Sequence, residues 1–151
     1  LTLGQQAAFE HELHEICADA RRTGRWDDPS LRQQLASLWV RLRIMRWNSV
    51  RSLGVAESGE LMPEAMIHKL YWAGLHRDMG EAAMDALGPE ATLTPYGRAD
   101  NTHDADEMEA AHRLFFFTRS DTIYGGSNQI QRNVIGERAL GLPREPRPPA
   151  R

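Results

Sequence analysis

Apolar side chains recur every three or four residues along most of the chain, and no run alternates with the period of two that a half-buried strand needs. The spacing predicts a first helix over about Gly4–Arg22, with Ala7, Phe9, Leu13, Ile16 and Ala20 toward one side and Thr23-Gly24 ending it. Asp27-Asp28-Pro29 predicts a second helix start, because Asp caps free N–H groups and Pro has none to leave unsatisfied. Leu31, Leu35, Leu38, Leu42, Met45 and Ser49 then step at helical intervals, widened by Trp39 and Ile44, and Gly54 sits where a left-handed C-cap is expected. Val55–Met62 reads as a loop. Pro63 opens a third helix to about Leu87, with Met66, Leu70, Ala73, Arg77, Gly80 and Met84 on one face and Ile67, Tyr71, Leu75, Met79 and Ala83 on the next. Two apolar faces predict a central position. Gly88-Pro89 stops that helix, and Glu90–Asp104 is a long polar loop without a secondary-structure signal. A fourth helix is expected over Ala105–Ser120 and a fifth over Asn128–Leu140, after the break at Gly125-Gly126. The fold class is therefore all-α, and two helices of roughly 25 residues, each about 37 Å long, fit an up-and-down four-helix-type bundle. Residues 1–140 form the bundle, and 141–151 form a Pro/Arg-rich tail expected to be extended.

Composition narrows the function classes. The 151 residues carry 18 Lys+Arg and 21 Asp+Glu, a formal net charge of −3. That length predicts one domain. The negative balance argues against nucleic-acid or anionic-membrane binding, which needs a basic surface. All basic side chains but one are Arg; the exception is Lys69. The sole cysteine, Cys17, excludes an internal disulfide and favours a reducing, cytoplasmic setting. The longest apolar run, Leu114–Phe117, is far too short for membrane insertion. The chain begins at Leu1, with no Met and no signal pattern, which suggests a piece of a longer protein.

Most candidate clusters have an ordinary explanation. His11, His14 and Cys17 share a helix face but lack zinc-site spacing, so no metal is expected there. His103, Asp104 and Asp106 supply too few oxygens for a hard cation, and Asp104 reads as a helix cap. The four Trp and Phe115-Phe116-Phe117 read as core or interface packing, not base stacking. Thr122–Asn133 stands apart. Two glycines let the backbone approach something closely, and Ser127 opens a helix whose first N–H groups face the turn. By itself the segment reads either as a capped helical corner or as a binding turn.

As a whole, Tyr124-Gly125-Gly126-Ser127-Asn128-Gln129-Ile130-Gln131-Arg132, with Ile135-Gly136-Glu137-Arg138 and Leu140-Gly141-Leu142-Pro143-Arg144 behind it, resembles the C-terminal signature of acyl-CoA dehydrogenases, and most closely their actinobacterial branch. Asp28–Ala36 and Pro63–Leu70 are similar to the starts of that family's second and third C-terminal helices. The resemblance covers about Thr2–Arg147. It implies the helical C-terminal domain of a flavoenzyme that removes the α-proton and β-hydride of an acyl-CoA thioester, the hydride passing to FAD, in fatty-acid or lipid degradation. The N-terminal and middle domains of the family would be further partners, in a homo- or hetero-oligomer.

By the same resemblance, Ser127, Asn128, Gln129 and Gly88 are cofactor-binding, and Tyr124, Gly125 and Gly126 flank the substrate thioester. Many members carry a catalytic Glu at the position of Gly125, and glycine cannot accept a proton. No catalytic base is therefore assigned in this chain, and other members imply one upstream of Leu1. Glu10 and Glu12 are the nearest acids, and an amphipathic helix carries such residues routinely. The alternative reading is a non-catalytic partner subunit or helical oligomerisation module of a hetero-oligomeric enzyme.

Overall fold

A computed structural model describes residues 3–55, 63–92 and 110–144, and those residues form helices and turns with no strand. The helices are α1 (Leu3–Arg22), α2 (Pro29–Val55), α3 (Pro63–Met66), α4 (His68–Leu87), α5 (Ala110–Asp121) and α6 (Asn128–Val134). Short 3-10 turns follow α1 at Arg25–Asp27 and α4 at Gly88–Thr92. None of the described helices is long and apolar enough to cross a membrane.

Local chemistry explains the boundaries. Gly24 ends α1 with φ +74°, while the Thr23 hydroxyl donates to the Ala86 carbonyl at 2.7 Å and ties the end of α1 to the end of α4. The Asp28 carboxylate accepts the Ser30 N–H at 2.8 Å, and Pro29 begins α2. Gly88, at φ +64°, closes α4. The helix expected from Pro63 to Leu87 is interrupted at Ile67, whose ψ of −13° opens one turn and separates α3 from α4.

Cross-helix contacts fix the topology. Phe9–Trp72, Glu12–His76 and Thr23–Ala86 rise together, so α1 and α4 run parallel. Gln34–Asp85 and Arg41–Asp78 set α2 antiparallel to α4. His76–Asp121, Glu81–Arg119 and Ala91–His112 set α5 antiparallel to α4 as well. The four long helices thus alternate up and down, with α4 touching α1, α2, α5 and α6.

The expected α2 stripe, Leu31 through Ser49, is buried throughout, as are Phe9, Leu13, Ile16 and Ala20 of α1. Other expectations need correction. Ala7 is exposed, and its neighbour Gln6 is buried. Arg77 points outward, and His76 takes the buried position. Gly54 does not cap α2, which continues through it to Val55. Trp72 enters the core, whereas Trp39 and Trp47 lie exposed on α2, and Phe116 and Phe117 on α5. After Val134 the helix widens into a π turn, Ile135–Ala139, in which Leu140 N–H reaches the Ile135 carbonyl at 3.1 Å. At the described start of the tail, residues 141–144, Gly141 turns the chain at φ +67°, and Leu142 N–H donates back to the Gly136 carbonyl at 2.9 Å; residues 145–151 lie outside the described residues.

Candidate active site

The glycine turn grows out of the C-terminus of α5. Asp121 ends that helix, and the N–H groups of Ile123 and Tyr124 both donate to the Ser120 carbonyl, at 2.9 and 3.0 Å. Gly125 and Gly126 follow at φ +65° and +97°, a left-handed pair that side chains disfavour. The Gln131 amide donates to the Gly125 carbonyl at 3.0 Å. A Cβ at Gly126 would lie 2.7 Å from that amide nitrogen, so the second glycine also makes room for Gln131. The Ser127 hydroxyl caps α6 by accepting Ile130 N–H at 3.4 Å. Tyr124 is 50% exposed, Gly125 is exposed, and the Gly125 N–H has no hydrogen-bond partner among the described residues.

Beneath the turn lies the first half of α4. The Tyr124 ring is 6.5 Å from Trp72. The Lys69 ammonium sits 5.4 Å from the Trp72 ring and 5.6 Å from Tyr124. It donates to the Asp121 carbonyl, and its Cε would be 3.8 Å from a Cβ at Gly125. Two turns further along α4, His76 Nδ1 meets Asp121 Oδ2 at 2.5 Å and His76 Nε2 meets Glu12 Oε2 at 2.9 Å. The Phe9 ring stacks on the imidazole at 4.0 Å.

The electrostatics follow from that geometry. Burial alone would lower the His76 pKa, but hydrogen bonds and charge from Glu12, then Asp121, outweigh it and raise the value. Carboxylates at both ring nitrogens require a proton on each, which is the imidazolium form. Burial lowers the Lys69 pKa, partly countered by Asp121. Burial raises the pKa of the Tyr124 phenol, and the nearby Asp121 carboxylate raises it further. Glu12, His76, Asp121 and Lys69 alternate in sign and cancel. The Asp121 side chain is 1% exposed, and its Oδ1 is buried without a hydrogen-bond partner. Glu12 also lines a groove of about 390 Å³ between α1 and α5, floored by Ile16, Ala111, Leu114 and Phe117.

The expected site residues Tyr124, Gly125, Gly126, Ser127, Asn128 and Gln129 come together at this turn. Asn128 is half-buried with Oδ1 unpartnered, and Gln129 is exposed. Gly88 does not join them within one chain: it ends α4 about 28 Å from Lys69, with the Arg25 Cδ 2.8 Å from where its Cβ would lie. His11 and His14 are exposed on α1, and burial raises the thiol of half-buried Cys17. No three metal-binding side chains converge among the described residues. His103, Asp104 and Asp106 lie outside those residues.

Sequence reasoning missed His76 and Asp121 altogether and gave Lys69 no role. One signal existed: a single lysine in a chain where every other basic position is Arg.

The family model described as acyl-CoA dehydrogenase, C-terminal domain, matches residues 2–140. A relative named acyl-CoA dehydrogenase IpdE1 from Mycobacterium tuberculosis is 44% identical over 95% of this chain and 35% of its own. Its namesake from Mycolicibacterium smegmatis is 42% identical over 95% of this chain and 33% of its own. The chain therefore spans about a third of the length of these relatives. Among solved structures, the Tcur3481–Tcur3483 steroid ACAD superposes with a TM-score of 0.70 at 22% identity, over 93% of this chain and 35% of that one. The ChsE4–ChsE5 complex from Mycobacterium tuberculosis gives 0.69 at 23%, over 93% and 36%. The helical bundle, the glycine turn and these matches agree that the chain belongs to the acyl-CoA dehydrogenase family, as its C-terminal domain.

Proposed function

We propose that this domain serves an FAD-dependent acyl-CoA dehydrogenase that oxidises the α,β bond of an acyl-CoA thioester. The observation that carries the reading is the Tyr124-Gly125-Gly126 turn, with Tyr124 and Gly125 exposed and the Gly125 N–H unpartnered among the described residues. A backbone N–H there can hydrogen-bond the thioester carbonyl, which acidifies the α-carbon. Tyr124 and Gly126 flank the acyl group. Gly125 has no side chain to take the α-proton, so a carboxylate outside this chain does so.

Bound FAD would supply the acceptor for the β-hydride. Ser127, Asn128 and Gln129 are the residues to hold it. The buried, unpartnered Oδ1 of Asn128 offers an acceptor that a flavin N–H or hydroxyl satisfies. Gly88 joins that set only across a subunit boundary. The solved neighbours are named as a steroid ACAD and as a two-chain complex. By analogy, the acyl group carries a bulky ring system, the working unit is an oligomer, and exposed Trp47, Phe116 and Phe117 face other domains or subunits. A cytoplasmic location completes the reading.

The test is to express the full-length gene product, alone and with a homologous partner chain, and follow flavin bleaching with straight-chain and steroid-bearing acyl-CoA thioesters. Bleaching is expected with at least one thioester. Protein that purifies without flavin under both conditions overturns the reading. A second reading, a non-catalytic partner subunit, is favoured by Gly125 itself. It predicts bleaching only in the co-expressed assembly.

A further inference from the structure

We infer that His76 and Lys69 clamp Asp121 from α4 and thereby position the Tyr124–Gly126 turn against the acyl group. They act as positioning residues that do not themselves touch it. The inference rests on the proposed function for its chemistry, but the clamp itself is visible in the geometry.

Asp121 lies three residues before Tyr124 and ends α5. The last carbonyls of a helix have no intrahelical partner, and such an end frays unless something holds it. Here both halves of one residue are held from a single helix. His76 Nδ1 binds the carboxylate at 2.5 Å, and the Lys69 ammonium takes the carbonyl. The Lys69 stem underlies Gly125, and Trp72 backs Tyr124. A single carbonyl suits a compact ammonium, whereas a planar guanidinium is built for two parallel acceptors.

The clamp depends on the charge of His76. A neutral imidazole has one N–H for two carboxylates, so deprotonation releases either Glu12 or Asp121. The ionisable groups around His76 are Glu12 from α1, Asp121 from α5, the Tyr124 phenol beyond Asp121, and Lys69 on its own helix. From α2, Arg41 instead pairs at 2.8 Å with Asp78, two residues and about 200° around α4. Arg77 also pairs with Asp78, Arg119 pairs with Glu81, and Arg132 of α6 is exposed.

The test compares full-length wild type with His76→Gln, Lys69→Met and Lys69→Arg. The first readout is kcat/KM for a thioester that bleaches wild type, from about pH 6 to about pH 9. Wild type should lose activity on the alkaline side as His76 loses its proton. His76→Gln should lack that limb and lose about ten- to a hundredfold in kcat/KM. Lys69→Met should lose a comparable factor, and Lys69→Arg should not restore it. The second readout needs no activity: amide exchange at Ile123, Tyr124 and Asn128, whose N–H groups are hydrogen-bonded within the turn, should accelerate in Lys69→Met without a matching fall in Tm. Should His76→Gln not fold, the Lys69 variants carry the test. Should wild type bleach with no thioester, the proposed function fails, and exchange alone decides the clamp. Unchanged exchange at the turn, or His76→Gln with a wild-type pH profile, overturns the inference.

Discussion

The two halves of α4 do different work with the same backbone. From Met79 onward the buried face of the helix is apolar and rich in alanine: Met79, Ala82, Ala83, Ala86 and Leu87 are all at most 1% exposed. Gly80 lets α5 approach closely, because a Cβ there would sit 2.5 Å from the Thr118 hydroxyl and 3.1 Å from the Phe115 Cα. Between Lys69 and His76 the helix instead presents an ammonium, an indole and an imidazole to two carboxylates and a glycine turn. The apolar half gains stability from burial and dispersion. The polar half must bury ions, which by itself costs stability, and what it gains is one defined position for the end of α5.

The contrast breaks first at Met79. Met79→Ala in the full-length protein should cost about 2–5 kcal/mol, because a fully buried side chain leaves a cavity that packed helices fill poorly. Denaturant unfolding measures this, and the affinity of folded protein for thioester should hardly change. Asp121→Ala should cost less, about 1–3 kcal/mol, since His76 keeps Glu12 as partner while Nδ1 loses its acceptor. The same change should nevertheless disturb the turn far more than Met79→Ala does, as amide exchange at the hydrogen-bonded Ile123, Tyr124 and Asn128 would show. Equal exchange in both variants would erase the distinction between the halves.

Proton linkage sharpens it further, with a smaller effect. The His76 pKa is raised in the folded state. Its contribution to stability is thus complete below the unfolded value of about 6.5 and is lost as pH rises through the folded value. Wild-type Tm should fall across that alkaline window, and His76→Gln should flatten the fall. A wild-type Tm independent of pH above about 6.5 would deny His76 its charged role.

The same division explains what the sequence made legible. The α2 stripe and the apolar core of α1 follow from helical spacing alone, because a residue buried by packing against many neighbours repeats with the helix. Arg77 was expected on the buried face and His76 was not, because periodicity alone does not say which of two adjacent polar residues finds partners on other helices. Those partners, Glu12 and Asp121, lie 64 and 45 residues away in sequence. The turn was legible as a motif, through its glycines and Ser127, but its attachment to α4 was not. The exposed Trp39, at 40%, marks another limit: an apolar residue that faces outward here carries the same helical signal as the core stripe it adjoins.

The weakest expected effect compares two N-caps that look equivalent in sequence. Asp28 accepts the Ser30 N–H at 2.8 Å, a full hydrogen bond to a charged acceptor at the start of a 27-residue helix. Ser127 accepts the Ile130 N–H at 3.4 Å, near the outer limit of such a bond, at the start of a helix of 7 residues. Asp28→Ala should therefore cost about 1–2 kcal/mol, and Ser127→Ala only about 0.5 kcal/mol. If Ser127 instead serves the flavin, its replacement should weaken flavin retention by more than that small loss of stability explains. Unfolding and flavin content, measured on the same two full-length variants, separate a cap from a ligand. A Ser127→Ala protein that keeps its flavin and matches Asp28→Ala in lost stability would make Ser127 a structural cap and confine the flavin contacts of this turn to Asn128 and Gln129.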